Sequence, residues 1–277
     1  MAAQAPERSI RVVDLSPESE GSYLLCLEDW PGSLTREAGD AKARWVERMR
    51  PRGLRVKLAL DDSARIGGMI QYLPIEHSPA LGRDLHFVLC IWVLPRSPAG
   101  PSERRRGMGT ALLEAAEADA RALGARGMAA WGIALPAWMR ASWFRRHGYR
   151  RADRQGLSVL VWKPFGAEAE PPRWPPATGK VPEPVPGKVV VGGCRSGWCP
   201  GVNLAFERAR RAAAGFGDRV EFRVEEAADR ATMVAWGQSD ALFVAGRPVR
   251  TGPPPKEERL VRLIRRAVDR LPPSPPP

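Results

Sequence analysis

Two short stretches of the chain hold residue types that can do chemistry. Residues 104–110 read RRRGMGT, so Arg104, Gly107 and Gly109 satisfy R-x-x-G-x-G. Glycines lack Cβ, which lets backbone N–H groups approach an anion closely. A helix starting there adds unpaired donors and a partial positive charge, and Arg104, Arg105 and Arg106 add full charges. The alternative is an ordinary helix start after a flexible loop. The stretch is not a P-loop, because no Gly-Lys-Ser/Thr follows. It is not a dinucleotide fingerprint either, because Ala111 or Leu112 stands at the third glycine position. The second stretch is GGCRSGWCPG, with Cys194 and Cys199 five apart. Cys199 precedes Pro200, a favoured first helical residue. A helix N-terminus and nearby Arg195 would lower a thiol pKa, and Gly197 would ease a turn that closes a disulfide. The pattern is C-x4-C and not C-x-x-C. A redox or thiol-binding pair, two structural thiols and a partial metal site all remain open. With no further His or Cys nearby, no metal is predicted.

These stretches need elements to position them. Residues 9–14 alternate as a strand, and helical stretches follow, one carrying Leu24, Leu25 and Leu27, the next over 37–50. Strands are predicted over 55–60 and 65–73. Residues 85–94, LHFVLCIWVL, are nearly all apolar and read as a central strand buried on both faces. Residues 107–123 form an amphipathic helix with Leu112, Leu113, Ala116 and Ala120 inward. A strand over 127–133, a short helix over 136–147 begun by Pro136, and a last strand over 157–163 complete the segment. After a proline-rich stretch come a strand at 188–191, a helix over 200–214, a strand over 219–224, a helix over 229–236, a hairpin of 241–244 with 247–250, and a helix over 256–270. Cys26 and Cys90 are expected to be buried singletons.

The chain has 277 residues, 43 basic and 31 acidic, for a net charge of +12. The excess is spread: +7 in residues 1–165, −1 in 166–187 and +6 in 188–277. Arginine outnumbers lysine 37 to 6, which points to codon bias as much as to phosphate binding. The charge alone therefore does not argue for a nucleic-acid partner. Mean hydropathy is −0.31 and no apolar run suits a membrane span. No secretion signal opens the chain and cysteine is sparse, so a reducing cytoplasm is expected. Seven of residues 166–187 are proline, which predicts a semi-rigid linker. The predicted domains are 1–165 and 188–271, with the linker between them and a proline-rich tail over 272–277.

The motif order of the first segment resembles the GNAT acetyltransferase superfamily. The resemblance runs from about residue 10 to 165. It rests on the apolar strand ending Val93-Leu94-Pro95, on R-x-x-G-x-G and its helix, on GMAAWGI, and on WFRRHGYRR over 143–151. It implies a mixed α/β acyl-CoA N-acyltransferase sheet and acetyl-CoA as co-substrate. Backbone amides of Arg105 to Thr110, including Gly107, Met108 and Gly109, would bind the pyrophosphate. Val93 and Leu94 would pair with the pantetheine arm. A substrate amine would attack the thioester directly, with a base taking its proton. Three departures stand out. The loop RSPAGPSE lengthens the approach to Arg104, Phe144 stands where the family often has an acidic Tyr, and Tyr149 stands where it usually has Phe. Base candidates are Glu76, His86 and Cys90, with His86, Cys90 and Trp92 placed on one strand face by a two-residue period. Trp92, Trp131, Trp138 and Trp143 are candidates for an aromatic acceptor pocket.

The order β-α-β-α-β-β-α of the second segment resembles a thioredoxin-like fold. Gln238-Ser239-Asp240 stands where that fold usually has Pro. The pairing of the two segments resembles the YoaP-like subgroup of GNAT proteins. The resulting expectation is an N-acetyltransferase, an acyltransferase moving groups other than aminoacyl groups, acting on a small-molecule or peptide amine. Its second domain, with Cys194 and Cys199, would present substrate or sense redox state. The alternative is a thiol-disulfide or thiol-binding protein whose first domain binds CoA but catalyses weakly. No membrane partner is expected, and the oligomeric state is left open.

Overall fold

The structure is a computed structural model that describes residues 10–27, 37–94, 107–135 and 139–272. It divides into two compact units. The first comprises Met1–Glu28 and Met49–Trp174, and the second comprises Asp29–Arg48 and Pro175–Pro277. Segment 29–48 therefore groups with the C-terminal unit, which the linker position did not suggest. The reason lies in ion pairs and rings: Glu37 accepts from Arg208 at 3.2 Å and Arg211 at 3.1 Å, and Trp45 meets Trp198 edge-on at 6.2 Å.

In the first unit the described elements are β1 (Arg11–Asp14), α1 (Pro17–Leu24), α2 (Ala41–Met49, whose residues up to Arg48 fall in the second unit), β2 (Arg55–Leu60), β3 (Ile66–Pro74), β4 (Leu85–Val93), α3 (Met108–Ala122), β5 (Gly127–Ile133), α4 (Ala141–Arg146), β6 (Arg150–Gln155) and β7 (Ser158–Pro164). The seven strands form one sheet in the order β1-β2-β3-β4-β5-β7-β6. Only β4 and β5 pair in parallel, and their register covers Leu85↔Gly127 to Val88↔Ala130 alone. Beyond that the two strands part, so Leu89–Val93 of β4 and Trp131–Ile133 of β5 border a split in the sheet.

Helix α3 covers one face. Leu112, Leu113, Ala116 and Ala120 are all buried, packed with Ile70, Tyr72, Val88, Met128 and Ala130. Burying each leucine contributes about 2 kcal/mol. On the opposite face Tyr23 of α1 is buried, and its hydroxyl donates to Gln71 Oε1 at 2.8 Å.

Three expectations need correction. The helix predicted from residue 136 starts at Ala141, because Arg140 is extended and Met139 takes φ 52°; residues 136–138 lie outside the described set. The strand β6, RRADRQ, has no apolar alternation to announce it, yet it pairs with β7 at the sheet edge. The proline-rich stretch is anchored locally. Arg173 and Leu81 exchange two backbone hydrogen bonds of 2.8 Å, and Trp174 N donates to Asp153 Oδ2 at 2.8 Å.

The second unit continues with β8 (Val189–Arg195), α5 (Pro200–Ala214), β9 (Val220–Glu226), α6 (Arg230–Trp236), β10 (Ala241–Val244), β11 (Arg247–Val249) and α7 (Glu257–Val268). Its sheet order is β11-β10-β8-β9, with β8 and β9 parallel and the other pairs antiparallel. Strand β8 runs on through Gly192 and Gly193, past the end at residue 191 that the sequence predicted. Both take positive φ, 140° and 152°, and a Cβ would strike Arg223 O at 1.7 Å or Ala241 O at 2.0 Å. The neighbouring backbones thus require glycine on both sides of the strand.

No helix among the described residues is long and apolar enough to cross a membrane.

Candidate functional site

Helix α3 starts at the end of the split. Gly107 is its N-cap at φ 82°, in the left-handed region that suits glycine, and no side chain caps it. The first-turn amides of Met108, Gly109 and Thr110 have no intrahelical carbonyl to bond. Arg104, Arg105 and Arg106 lie outside the described residues. Gly109 has a reason of its own: a Cβ there would sit 3.3 Å from Trp143 Cζ2. The second glycine of the motif therefore admits an indole as well as leaving its amide open.

Sequence reasoning did not single out His147, which the structure joins to this turn. Its Nε2 lies 3.0 Å from Thr110 Oγ1 and its Nδ1 lies 2.9 Å from the Trp143 carbonyl. A carbonyl only accepts, so Nδ1 carries the proton. In the tautomer with the proton on Nδ1, Nε2 accepts from the Thr110 hydroxyl. The ring also stacks on Trp143 at 4.2 Å. The available signal was a histidine immediately before Gly148 in WFRRHGY.

Along the split, one edge of β4 pairs with β3, from Gln71↔Cys90 to Gly68↔Val93. Leu94 N–H donates to Gly67 O at 2.9 Å, so that donor of the expected Val93–Leu94 pair serves β3. Backbone groups alternate between the two edges of a strand, which turns those of Val93 toward the split. Trp131 reaches across: its Nε1 donates to Leu89 O at 2.9 Å.

A β-bulge in β4 separates the base candidates. The register passes from Tyr72↔Val88 to Gln71↔Cys90, leaving Leu89 as the extra residue. An extra residue reverses which face later side chains take. Val88 faces α3, and after the bulge Ile91 and Val93 pack on that side. Cys90, opposite Gln71, instead lies near Tyr23. His86, two residues before Val88, is on the α3 side, 6.0 Å from the Tyr72 ring. The single face expected for His86, Cys90 and Trp92 is therefore wrong.

His86 is buried beside a polar network. Arg55 forms two hydrogen bonds to Asp119, at 2.9 and 2.8 Å, and Tyr72 Oη donates to Asp119 Oδ2 at 2.5 Å. Burial pushes the His86 pKa down, against the pull of Asp119 and Glu76. Asp119 lies nine residues past Thr110 in α3, about 14 Å along the axis. Glu76 accepts from Asp84 N at 3.3 Å, at this same end of the sheet. Glu76 and His86 thus stand away from the split, while Cys90 lies in the stretch that borders it.

The aromatic residues do not gather into one pocket. Trp143 covers Gly109, Trp131 spans the split, Trp92 pairs with Met69 in the ladder, and Trp138 lies outside the described residues. Phe144 is buried against Trp143 and Tyr149, with centroids 5.0 and 5.4 Å away. Burial and the nearby Glu117 charge hold the Tyr149 hydroxyl well above its ordinary pKa, so it serves as core.

Cys26 and Cys90 of the first unit and Cys194 and Cys199 of the second are all free of disulfides; Cys90 is buried as expected, whereas Cys26 is only partly buried. Cys199 is the N-cap of α5. Cys194 is buried and its Sγ faces Gln238 O at 3.8 Å. Burial, reinforced by Asp240, pushes its pKa up to about 12; the lowering expected at the helix start concerned Cys199. Asp240 takes the bonds of this loop, from Ser196 N and Oγ and from Ser239 Oγ, each at 2.9 Å. Among the described residues no group of three or more His, Cys, Asp or Glu could hold a metal ion.

Several solved structures are similar to part of the chain. A GNAT family acetyltransferase from Brucella melitensis, in complex with acetyl-CoA, is 18% identical, with 58% of this chain and 92% of that one covered at a TM-score of 0.40. The Escherichia coli GNAT family N-acetyltransferase YhbS, in complex with CoA, is 14% identical over 62% and 93%, at 0.43. The PaiA N-acetyltransferase of Thermoplasma acidophilum, in complex with coenzyme A, is 13% identical over 57% and 99%, at 0.39. No curated protein sequence matches the chain. Residues 22–149, which hold the β4–β5 split, α3 and the Trp143–His147 segment, match the acetyltransferase (GNAT) family.

Proposed function

We propose that the first unit is an N-acetyltransferase that moves an acetyl group from acetyl-CoA to an amine, small or peptidic. The observation that carries this reading is the junction of two features: a sheet split between β4 and β5, and an uncapped helix start at its end. The amides of Met108, Gly109 and Thr110, with Arg104 to Arg106, would hold the pyrophosphate. The Val93 backbone would take the pantetheine arm along the β4 edge. Both the acetyl-CoA and CoA complexes of the similar Brucella melitensis and E. coli proteins fit this choice of co-substrate. A neutral amine attacks the thioester carbonyl, the C–S bond breaks and CoA leaves as its thiolate, and water carries the proton lost from the nitrogen to that sulfur. Phe144 supports this leaving mode, because it has no proton to give.

For the second unit, the sheet order with β8 parallel to β9 and antiparallel to β10 supports the thioredoxin-like and YoaP-like readings. The raised pKa of Cys194 weighs against disulfide exchange through that thiol. A role in presenting substrate is the version that keeps Cys199 at the head of α5 in use.

Two substitutions test the co-substrate site. Asp and Asn are similar in shape and both tolerate a left-handed backbone, so Gly107→Asn and Gly107→Asp differ chiefly in charge. Calorimetry should show acetyl-CoA binding to Gly107→Asn within a few-fold of wild type and at least tenfold weaker to Gly107→Asp. A flat titration of the wild type would sink the reading. The acceptor is then sought with a panel of amines, following CoA release by a method blind to protein thiols.

A further inference from the structure

The second unit contains a cleft of about 590 Å³ that the acetyltransferase reading does not use. Its floor is the buried pair Val189 and Val244. Leu263 and Leu271 form one apolar wall, and Val181, 42% exposed, forms part of the other. The rim carries Lys188, Arg247, Arg266 and Arg270, all exposed, and no Asp or Glu among the described residues lines the cleft. Arg266 lies in the last turn of α7 and Arg270 two residues past its end. Four cations around an apolar floor without an acid are complementary to one kind of occupant. A neutral hydrocarbon would waste the rim, and a compact inorganic anion would leave Val181, Leu263 and Leu271 uncovered.

We propose that this cleft binds an amphipathic anion, an alkyl body lying between Val181 and the Leu263–Leu271 wall with a carboxylate or phosphate head among the rim cations. The volume falls within the range of roughly 300–1,000 Å³ for small-molecule sites. Guanidinium groups match such heads because their paired donors meet two oxygens at once. The proposal is independent of what occupies the split sheet.

The test is calorimetric titration of the full chain, saturated with CoA so that the α3 site is filled, with decanoate and with decyl phosphate. A parallel series omits CoA, so that the cleft is judged on the alkyl anions alone. Decanol, which lacks the charge, and acetate, which lacks the body, are the controls. At least one alkyl anion should bind at one site, with both controls at least tenfold weaker. Comparing decanoate with decyl phosphate assigns the head group. Arg266→Gln/Arg270→Gln should weaken the better ligand at least tenfold, and Arg247→Gln should do so independently. Both changes are on exposed side chains, and unchanged thermal melting will show that the fold persists. No binding of either alkyl anion, decanol binding equal to decanoate, or unchanged affinity in folded variants would each overturn the proposal.

Discussion

Thr110 Oγ1 and His147 Nε2 stand 3.0 Å apart, tying the first turn of α3 to the end of α4. The bond to the Trp143 carbonyl holds the ring with Nε2 toward the threonine. Removing the acceptor should loosen the turn whose amides are assigned to the pyrophosphate. His147→Phe is expected to weaken acetyl-CoA binding about fivefold, the equivalent of about 1 kcal/mol for one hydrogen bond. His147→Asn, which can still accept, should recover part of the loss. Calorimetry checks both, and an unaltered Kd for His147→Phe would detach the ring from cofactor binding.

Gly109 and Trp143 should be energetically coupled. An alanine at 109 gains helix propensity but brings its Cβ to 3.3 Å from the indole. Gly109→Ala is therefore expected to be less favourable in the wild type than in a Trp143→Leu background. The difference should be about 0.5–1 kcal/mol in a double-mutant cycle of urea denaturation. Simple additivity would show that the indole does not confine this position.

Acid should destabilise the first unit in two stages. Burial depresses His86, so the unfolded chain takes up its proton first, near pH 6.5, and stability falls as pH drops through that value toward the folded pKa. Burial works to raise Asp119, but the hydrogen bonds from Arg55 and Tyr72 and the charge of Lys57 outweigh it. Its stabilising contribution is present above about pH 4, the unfolded value, and is lost as pH falls below it. Urea midpoints between pH 8 and pH 3 should show a shallower first decline for His86→Phe than for wild type. Asp119→Asn should flatten the second decline and cost on the order of 2 kcal/mol at pH 7. A constant difference between Asp119→Asn and wild type down to pH 3 would refute the assignment.

Much of this architecture was legible, and the failures have particular causes. Strands β2, β5 and β10 and helix α5 fall on the residues their apolar patterns predict. Helix α3 buries the four positions expected of it. Strand β6 escaped because an edge strand with two solvated faces carries no apolar signal. Strand β8 was cut short because Gly192 and Gly193 mimic a turn, when close backbones on both sides require them. Of the site, the glycine motif at the start of α3 was readable. His147 was not, because its role comes from contacts with Thr110 and Trp143 that no spacing rule supplies.

Cysteine labelling should separate the two thiols of the second unit. Cys194 is buried with a pKa near 12, while Cys199 is partly exposed at the head of α5. Brief treatment of the native protein with iodoacetamide at pH 8 should alkylate Cys199 well before Cys194, because the thiolate is the reacting species. Mass spectrometry of the peptides reads the order. Equal rates at the two positions would contradict the burial of Cys194 and reopen a dithiol role.

The residue inserted at Leu89 acts along β4 as a change of face. In a regular strand, alternate side chains share one face from end to end, so a charge near one end can influence groups along that face. Here His86 and the Arg55–Asp119–Tyr72 network lie on the α3 side, while Cys90, beside the split, looks toward Tyr23 across the sheet. The backbone itself stands between them. The protonation of His86 can thus govern how firmly the unit folds without its ring sharing a face with Cys90 beside the split.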